Sequence, residues 1–257
     1  MAGGWWHIVL VGTSCLRNIA GTLGDKELSR LAINPDMRLT DEVKSRFNEY
    51  FRLLASDPFK FSAELNAMRN YLEENSVSGV TLIYTDTDGG MLAAQLLSKY
   101  FELKAIPVRS FRVEHLGRVF ELGVLNLLDR LASEVKEIRD KGYKIAINLT
   151  GGFKAETGYA LLIASLLGVD KAYYIYESGF TPVELPLIPL KPREDYVNLI
   201  SLLEEREYTY LDLCKILSKM GLSVKIIDEL RDKGLLEEIN GGYRPRTWIL
   251  MYKKIIR

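Results

Sequence analysis

A lysine that follows two glycines at the end of an apolar run is placed to meet an anion. In this chain Ile145-Ala146-Ile147-Asn148-Leu149 is such a run, Thr150-Gly151-Gly152-Phe153 is a turn, and Lys154 opens a helical pattern that continues from Ala155 to Leu167. Glycines let backbone N–H groups approach a ligand closely, a helix N-terminus carries partial positive charge, and the lysine adds a full cation. Phosphate-like groups are the natural guests of such a turn, although a Gly pair also serves simply to turn the chain. A second candidate is Gly12-Thr13-Ser14, where hydroxyls follow the run Trp5 to Val11; Thr13 or Ser14 equally suits the cap of the short helix after it. A third is Thr85-Asp86-Thr87-Asp88-Gly89-Gly90. Its two aspartates can be read as metal ligands, but they also fit the N-cap and first turn of the next helix, and no third carboxylate lies nearby in sequence. No metal set is assigned.

The elements that position these turns alternate. Strands are expected at Trp5–Val11, Val80–Tyr84, Ala105–Val108, Ile145–Leu149 and Ala172–Tyr176, and Val183–Ile188, broken up by Pro182, Pro186 and Pro189, suits an edge strand. Two amphipathic helices are expected between Thr40 and Asn75, the first capped at Thr40 or Asp41 and the second opened by Asp57-Pro58. A long helix from Leu116 to Arg139 is expected to bury Val119, Leu122, Leu125, Leu128 and Leu131. The alternation predicts an α/β fold, a Rossmann-like parallel sheet with helices on both faces, spanning residues 1–190. In such sheets the first and fourth strands are neighbours where the winding reverses, and ligands sit beyond their carboxyl ends. That rule brings Ser14 and Lys154 together. Arg17, Asn18, Asp86, Arg109 and Arg112 become binding candidates because they follow strands on that side. Dinucleotide oxidoreduction fits poorly, since the first turn lacks GxGxxG and no Walker-type motif occurs.

Composition agrees with an ordinary soluble globular chain. Its 257 residues are 47% hydrophobic and 26% charged, enough for one substantial core and a smaller domain, and the formal net charge is zero. No global field draws it to nucleic acid or membrane, so an anion site must be built locally. Cys15 and Cys214 are far apart, with no CxxC or Cys/His cluster, which points to a reducing cytoplasm without zinc or disulfides. No apolar run is long enough for a signal region or a membrane span.

From Lys191 the texture changes. Helices are expected from Pro192 to Glu205, Leu211 to Met220 and Ser223 to Lys233, followed by a hairpin of Leu235–Ile239 and Tyr243–Tyr252 about Asn240-Gly241-Gly242. Three helices and a hairpin predict a winged helix-turn-helix domain over residues 191–257. Its third helix offsets Lys225, Arg231 and Lys233 with Asp228, Glu229 and Asp232, so little duplex DNA binding is expected there. The hairpin and tail are more basic and leave nucleic-acid contact through the wing open; a dimerising or lid-forming module is the preferred reading.

Taken together, Val11-Gly12-Thr13-Ser14 with Leu16-Arg17-Asn18, the turn Thr85 to Gly90 with Leu92-Ala93-Ala94, and Asn148-Leu149-Thr150-Gly151-Gly152-Phe153-Lys154 resemble the CARF domains (CRISPR-associated Rossmann fold) of archaeal type III CRISPR systems. The resemblance covers roughly residues 5–190. A CARF domain joined only to a winged helix is similar to the CRISPR ring nucleases, which bind cyclic tetra-adenylate across a homodimer and cut it to end antiviral signalling. The resemblance implies Ser14 and Lys154 as the active residues. The candidate ligand-binding residues at these turns and strand ends are Gly12, Thr13, Arg17, Asn18, Asp86, Thr87, Arg109, Arg112, Thr150, Gly151, Gly152 and Phe153; in-line attack by a 2′-hydroxyl already next to a phosphate requires no metal or other cofactor, and the resemblance implies linear di-adenylates ending in a 2′,3′-cyclic phosphate as products. His7 and His115 are the only histidines, so no good general base is evident and turnover should be slow. Three alternatives use the same residues differently. A ribonuclease of the HEPN kind needs an Arg-x4-6-His motif on a helical domain, which Arg109 and His115 match only in spacing. A transcription regulator would use the winged helix on DNA. A pure sensor would bind the ring and leave it intact.

Overall fold

The computed structural model describes residues 4–152, 154–176, 181–192 and 194–255. Strand β1 (Trp5–Val11) leads into α1 (Ser14–Leu23) and α2 (Lys26–Ile33). Five short helices follow: α3 (Asp41–Ser45), α4 (Phe47–Ser56), α5 (Pro58–Phe61), α6 (Ala63–Ala67) and α7 (Arg69–Glu73). Then come β2 (Val77–Thr85), α8 (Asp88–Leu103), β3 (Val108–Val113), α9 (Phe120–Asp140), β4 (Lys144–Asn148), α10 (Lys154–Leu166), β5 (Lys171–Tyr176) and β6 (Thr181–Leu185). Thr40, Asp57 and Ser62 cap α3, α5 and α6 by accepting from the backbone N–H of Val43, Lys60 and Leu65, and Pro58 opens α5, so the two helices expected between Thr40 and Asn75 are broken into five.

The sheet order is β3-β2-β1-β4-β5-β6, with β1 to β5 parallel and β6 antiparallel at the edge. The expected neighbourhood of the first and fourth strands is present, and the chain winds outward in opposite directions from that pair. Alternate residues of the central strands feed two cores. Val9, Val11, Val80, Leu82 and Ala146 join α1, α2, α4 and α8 on one face, while Ile8, Leu10, Ile83, Ile145 and Ile147 join α9 and α10 on the other.

Three expectations shift. Strand β3 begins at Val108, where the sequence reading ended it, because an edge strand buried on only part of its surface tolerates the arginines of Val-Arg-Ser-Phe-Arg-Val. In α9 the buried face is Val124, Leu127, Leu128, Leu131, Val135 and Ile138, whereas Val119 and Leu122 are 41% and 43% exposed. Steps of three residues fall short of a full turn, so the series from Val119 to Leu131 wraps about 240° around the axis instead of staying on one side. The third shift concerns the C-terminal segment.

That segment contains α11 (Glu194–Leu202), α12 (Tyr210–Lys219), α13 (Ile226–Asp232) and the hairpin β7 (Leu236–Ile239) and β8 (Gly242–Pro245), closed by Asn240 and Gly241 at positive φ. From Thr247 the expected strand is instead helix α14 (Thr247–Ile255). Its apolar run serves two cores: Ile249 and Leu250 pack with α11–α13, and Met251 and Tyr252 pack with α9. Such a run lacks the period-two alternation of a half-buried strand. Trp248 N–H and Arg246 also bond to Asp129 on α9, at 2.9 and 3.1 Å, anchoring the segment to the sheet domain. Among the described residues no helix is long and apolar enough to cross a membrane.

One histidine lies inside this frame. His7 on β1 is fully buried, its Nδ1 2.7 Å from Tyr173 Oη, and burial lowers its pKa from 6.5 to about 3. It is therefore a core residue, not a base. Between those two pKa values the unfolded chain binds a proton that the folded chain refuses, so stability must fall as pH drops from about 6.5 toward 3. Denaturant melts across this window should show that slope flattened in His7→Gln by up to about 1.4 kcal/mol per pH unit. An unchanged slope would mean that the folded protein protonates His7 readily.

Candidate functional site

The site forms where the turns after β1 and β4 meet. Val9 pairs with Asn148, so β1 runs two residues farther than β4 and delivers Gly12 against the second turn. A Cβ on Gly151 would lie 2.2 Å from the Leu10 carbonyl oxygen and 2.4 Å from Gly12 N. One on Gly12 would lie 3.3 Å from Gly151 Cα. The contact therefore excludes a side chain at Gly151, while at Gly12 a Cβ would fit only tightly. Gly152 has φ +90°, a conformation that disfavours any other residue.

A carboxylate lies directly behind this contact. Glu64 on α6 is 1% exposed; its Oε1 accepts from Gly12 N at 2.9 Å, and its Oε2 accepts from Ser62 Oγ at 2.8 Å and Ser14 Oγ at 3.2 Å. Asn148 clasps it from β4, donating from Nδ2 to the Glu64 carbonyl oxygen at 2.9 Å while its Oδ1 accepts from Thr150 N at 3.1 Å. Thr150 Oγ1 in turn accepts from Ile175 N on β5 at 3.2 Å. Thr13 takes the cap position of α1 without a side-chain cap bond, and its hydroxyl donates to the Ala32 carbonyl at 2.7 Å. Cys15 is no nucleophile here, since burial first and the Glu64 charge second push its thiol far above the usual range.

In front of the contact are two adjoining hollows of about 380 and 640 Å³, which share Ser14, Arg17, Thr150 and Gly152. Lys154, the first residue of α10, lines the larger one with Phe59, Tyr174 and Tyr176; Thr85, Thr87 and Gly117 close the far side of the smaller. The N-termini of α1 and α10 both open here, and neither Arg17 nor Lys154 forms an ion pair among the described residues. Two unpaired cations and two helix N-termini favour an anionic ligand, and three aromatic side chains offer faces on which planar groups can stack.

The expected site residues divide. Gly12, Thr13, Ser14, Arg17, Asn18, Thr87, Thr150, Gly151, Gly152 and Lys154 all line the cleft. Asn18 also ties α1 to α5, donating to the Phe61 carbonyl at 3.0 Å. Asp86 and Arg112 instead pair with each other, and Asp86 accepts from His115 N, so this carboxylate organises the turn after β3. Asp88 accepts from Leu39 N at 2.8 Å and pairs with Arg38 at 3.6 Å. Arg109 lies outside the cleft: it sits opposite Thr81 near the start of β3, pairs with Glu134 at 2.8 Å and with Glu137, and covers the Trp6 ring. His115 is in the exposed turn beyond β3, so the Arg109–His115 spacing builds no joint site. Phe153 lies outside the described residues. Among those described, no group of three or more His, Cys, Asp or Glu is arranged to hold a metal ion.

The residues that sequence reasoning missed are Glu64, Ser62, Phe59, Tyr174 and Tyr176. Glu64 is fifty positions from its partner Ser14 and reads as an ordinary helix residue after a Ser cap; no local signal marks it.

Fold and site define an α/β protein whose cleft lies at the switch point of a mostly parallel sheet. The chain belongs to the family described as CRISPR-associated protein (Cas_APE2256), which it matches over residues 59–188. That span holds Glu64, the Thr85–Gly90 turn and Asn148–Lys154, but not Ser14. Among solved structures the chain is similar to protein VC1899 from Vibrio cholerae, at 9% identity and a TM-score of 0.42, covering 97% of this chain and 64% of that one.

The glycine contact is testable by substitution. Gly151→Ala must push two backbones apart and should cost about 2–3 kcal/mol or more in denaturant melts. Gly158→Ala, where a Cβ would meet nothing within 4 Å on α10, should be neutral or stabilise by up to about 1 kcal/mol. Equal effects at the two positions would contradict the close approach.

Proposed function

We propose that this protein is a ring nuclease of type III CRISPR systems: it binds cyclic tetra-adenylate with a CARF domain at a homodimer interface and cleaves it to linear di-adenylates ending in 2′,3′-cyclic phosphate. Membership of a CRISPR-associated family supports the setting. The observation that carries the chemistry is that Ser14 and Lys154, from turns 140 positions apart, line one cleft with Arg17, which forms no ion pair among the described residues, and with two helix N-termini. A ring of four phosphates has internal symmetry, and a two-fold dimer presenting this cleft twice would match it. Ile33 and Tyr176 on the cleft, and Tyr159 and Leu162 on α10, are exposed apolar side chains of the kind a self-associating face would need.

Each ribose 2′-hydroxyl is already adjacent to a phosphate. Cleavage then needs in-line alignment of that hydroxyl and stabilisation of the charge that develops as it attacks, for which the Lys154 ammonium and the backbone N–H groups of the Gly turn are suited. No step calls for a metal. Phe59, Tyr174 and Tyr176 would stack adenines. The C-terminal helices and hairpin would form a winged helix used for dimerisation or as a lid. On α13, Arg231 is neutralised by Asp228 and Asp232, and Lys233 by Glu229, which argues against that helix as a DNA reader.

The test is incubation of purified protein with labelled cyclic tetra-adenylate in chelator, followed by chromatography of the products. Lys154→Ala should slow cleavage by about 10²-fold or more while weakening binding far less, because it removes charge stabilisation needed mainly in the transition state. If the wild-type protein binds the ring and leaves it intact over hours, with or without divalent metal, the chain is a sensor and Lys154 a binding cation.

A further inference from the structure

Three donors converge on the two oxygens of Glu64: Gly12 N–H on Oε1, and the hydroxyls of Ser62 and Ser14 on Oε2. That set suits an ionised carboxylate, which can only accept. Ser62 Oγ accepts from Leu65 N–H at 3.1 Å through one of its lone pairs, and its proton points at Glu64 Oε2. The consequence for Ser14 is directional. Its single proton is committed to the buried carboxylate, and what its oxygen offers the cleft is lone pairs. A hydroxyl held in that sense cannot donate to a phosphate oxygen, but it can accept from a ligand hydroxyl. Gly12 N–H is likewise already taken, so phosphate must be met by Arg17, Lys154 and the Gly151-Gly152 turn instead. Glu64 itself is pinned by Asn148 through its backbone and by the Ser62 cap, and at 1% exposure it does not swing out to be replaced by a ligand.

We propose that Glu64 is the positioning residue and final proton acceptor of this site, holding Ser14 as a one-way acceptor that recognises a ribose 2′-hydroxyl and relays its proton. The proposal rests on the ring-nuclease reading and supplies the base that the two histidines do not. In the step, the 2′-oxygen forms a bond to phosphorus as the phosphorus–5′-oxygen bond breaks. The 2′-proton passes to Ser14 Oγ while the proton of Ser14 passes to Glu64 Oε2, and the leaving 5′-oxygen takes a proton from the Lys154 ammonium. The charge on phosphorus is unchanged between diester and cyclic diester, and Glu64 and Lys154 return to their starting states through solvent. The 3.2 Å separation of Ser14 and Glu64 is long for a hydroxyl–carboxylate bond, as such contacts are before substrate tightens them.

Two readouts separate this from a merely structural Glu64. The first is binding of cyclic tetra-adenylate against its all-2′-deoxy counterpart, which cannot be cleaved. Wild type should prefer the ribo ring by about 10-fold or more, and both Ser14→Ala and Glu64→Gln should reduce that preference to about 3-fold or less. The second is single-turnover cleavage. Glu64→Gln should lose about 10²-fold in rate while the ribo-ring dissociation constant rises only by the roughly 3-fold lost in preference, Glu64→Asp should recover part of the rate, and Ser14→Ala/Glu64→Gln should be no slower than the slower single variant. Cleavage by a folded Glu64→Gln within about 3-fold of wild type, or losses that simply add, would overturn the relay and leave the ring-nuclease reading standing. Should Glu64→Gln fail to fold, Ser14→Ala alone decides: an undiminished ribo preference sinks the proposal. A wild-type protein that neither binds nor cuts the ring removes the functional reading itself.

Discussion

The contact on which the site depends is the touching of two backbones, Gly12 and Gly151, at the carboxyl ends of neighbouring parallel strands. It is a steric requirement before it is a chemical one: a methyl group on Gly151 would stand 2.2 Å from a carbonyl oxygen of β1. Because the turns meet this closely, Ser14 and Lys154 open onto one cleft, and the first residues of α1 and α10 bring their positive ends to it. Anything that widened the contact would separate the hydroxyl from the cation without altering either.

Glu64 converts that contact into a defined electrostatic arrangement. A buried carboxylate is expensive unless its hydrogen bonds are satisfied, and here three donors from two elements satisfy it. Asn148 extends the arrangement across the sheet, joining the carbonyl of Glu64 to the Thr150 turn, and Thr150 joins β5. The fully buried polar residues Asn148 and Glu64 thus set the directions of the donors and acceptors that face the cleft. A separate network around Glu134, Arg109, Thr81 and Trp6 seals β3 against α9 and accounts for an arginine that sequence reasoning assigned to the ligand.

Much of the architecture was legible because it rests on local periodicity and chain punctuation. Apolar runs of strand length, each ended by Gly, Asp or Ser and followed by a helical pattern, specify alternating strands and helices, and the switch-point rule then pairs β1 with β4. Where the local signal is degenerate the reading slipped. The run Trp248–Tyr252 is apolar all round, so only its packing against two cores makes it helix; β3 is an edge strand whose charged residues hide it.

The sequence by itself determined the turn chemistry: Gly151 and Gly152 followed by Lys154, and Ser14 after Gly12, with spacing that demands strand, turn and helix. Only the tertiary structure decided which groups those turns would meet. Glu64 is brought to Ser14 across fifty residues by the packing of a five-residue helix, Tyr174 and Tyr176 reach the cleft from β5, and Arg109 is withdrawn from it by Glu134. The physical reason is that turn geometry is encoded within a few residues by steric freedom and charge. The orientation of a hydroxyl proton is instead set by whichever acceptor the fold places beside it, and no short stretch of chain records that.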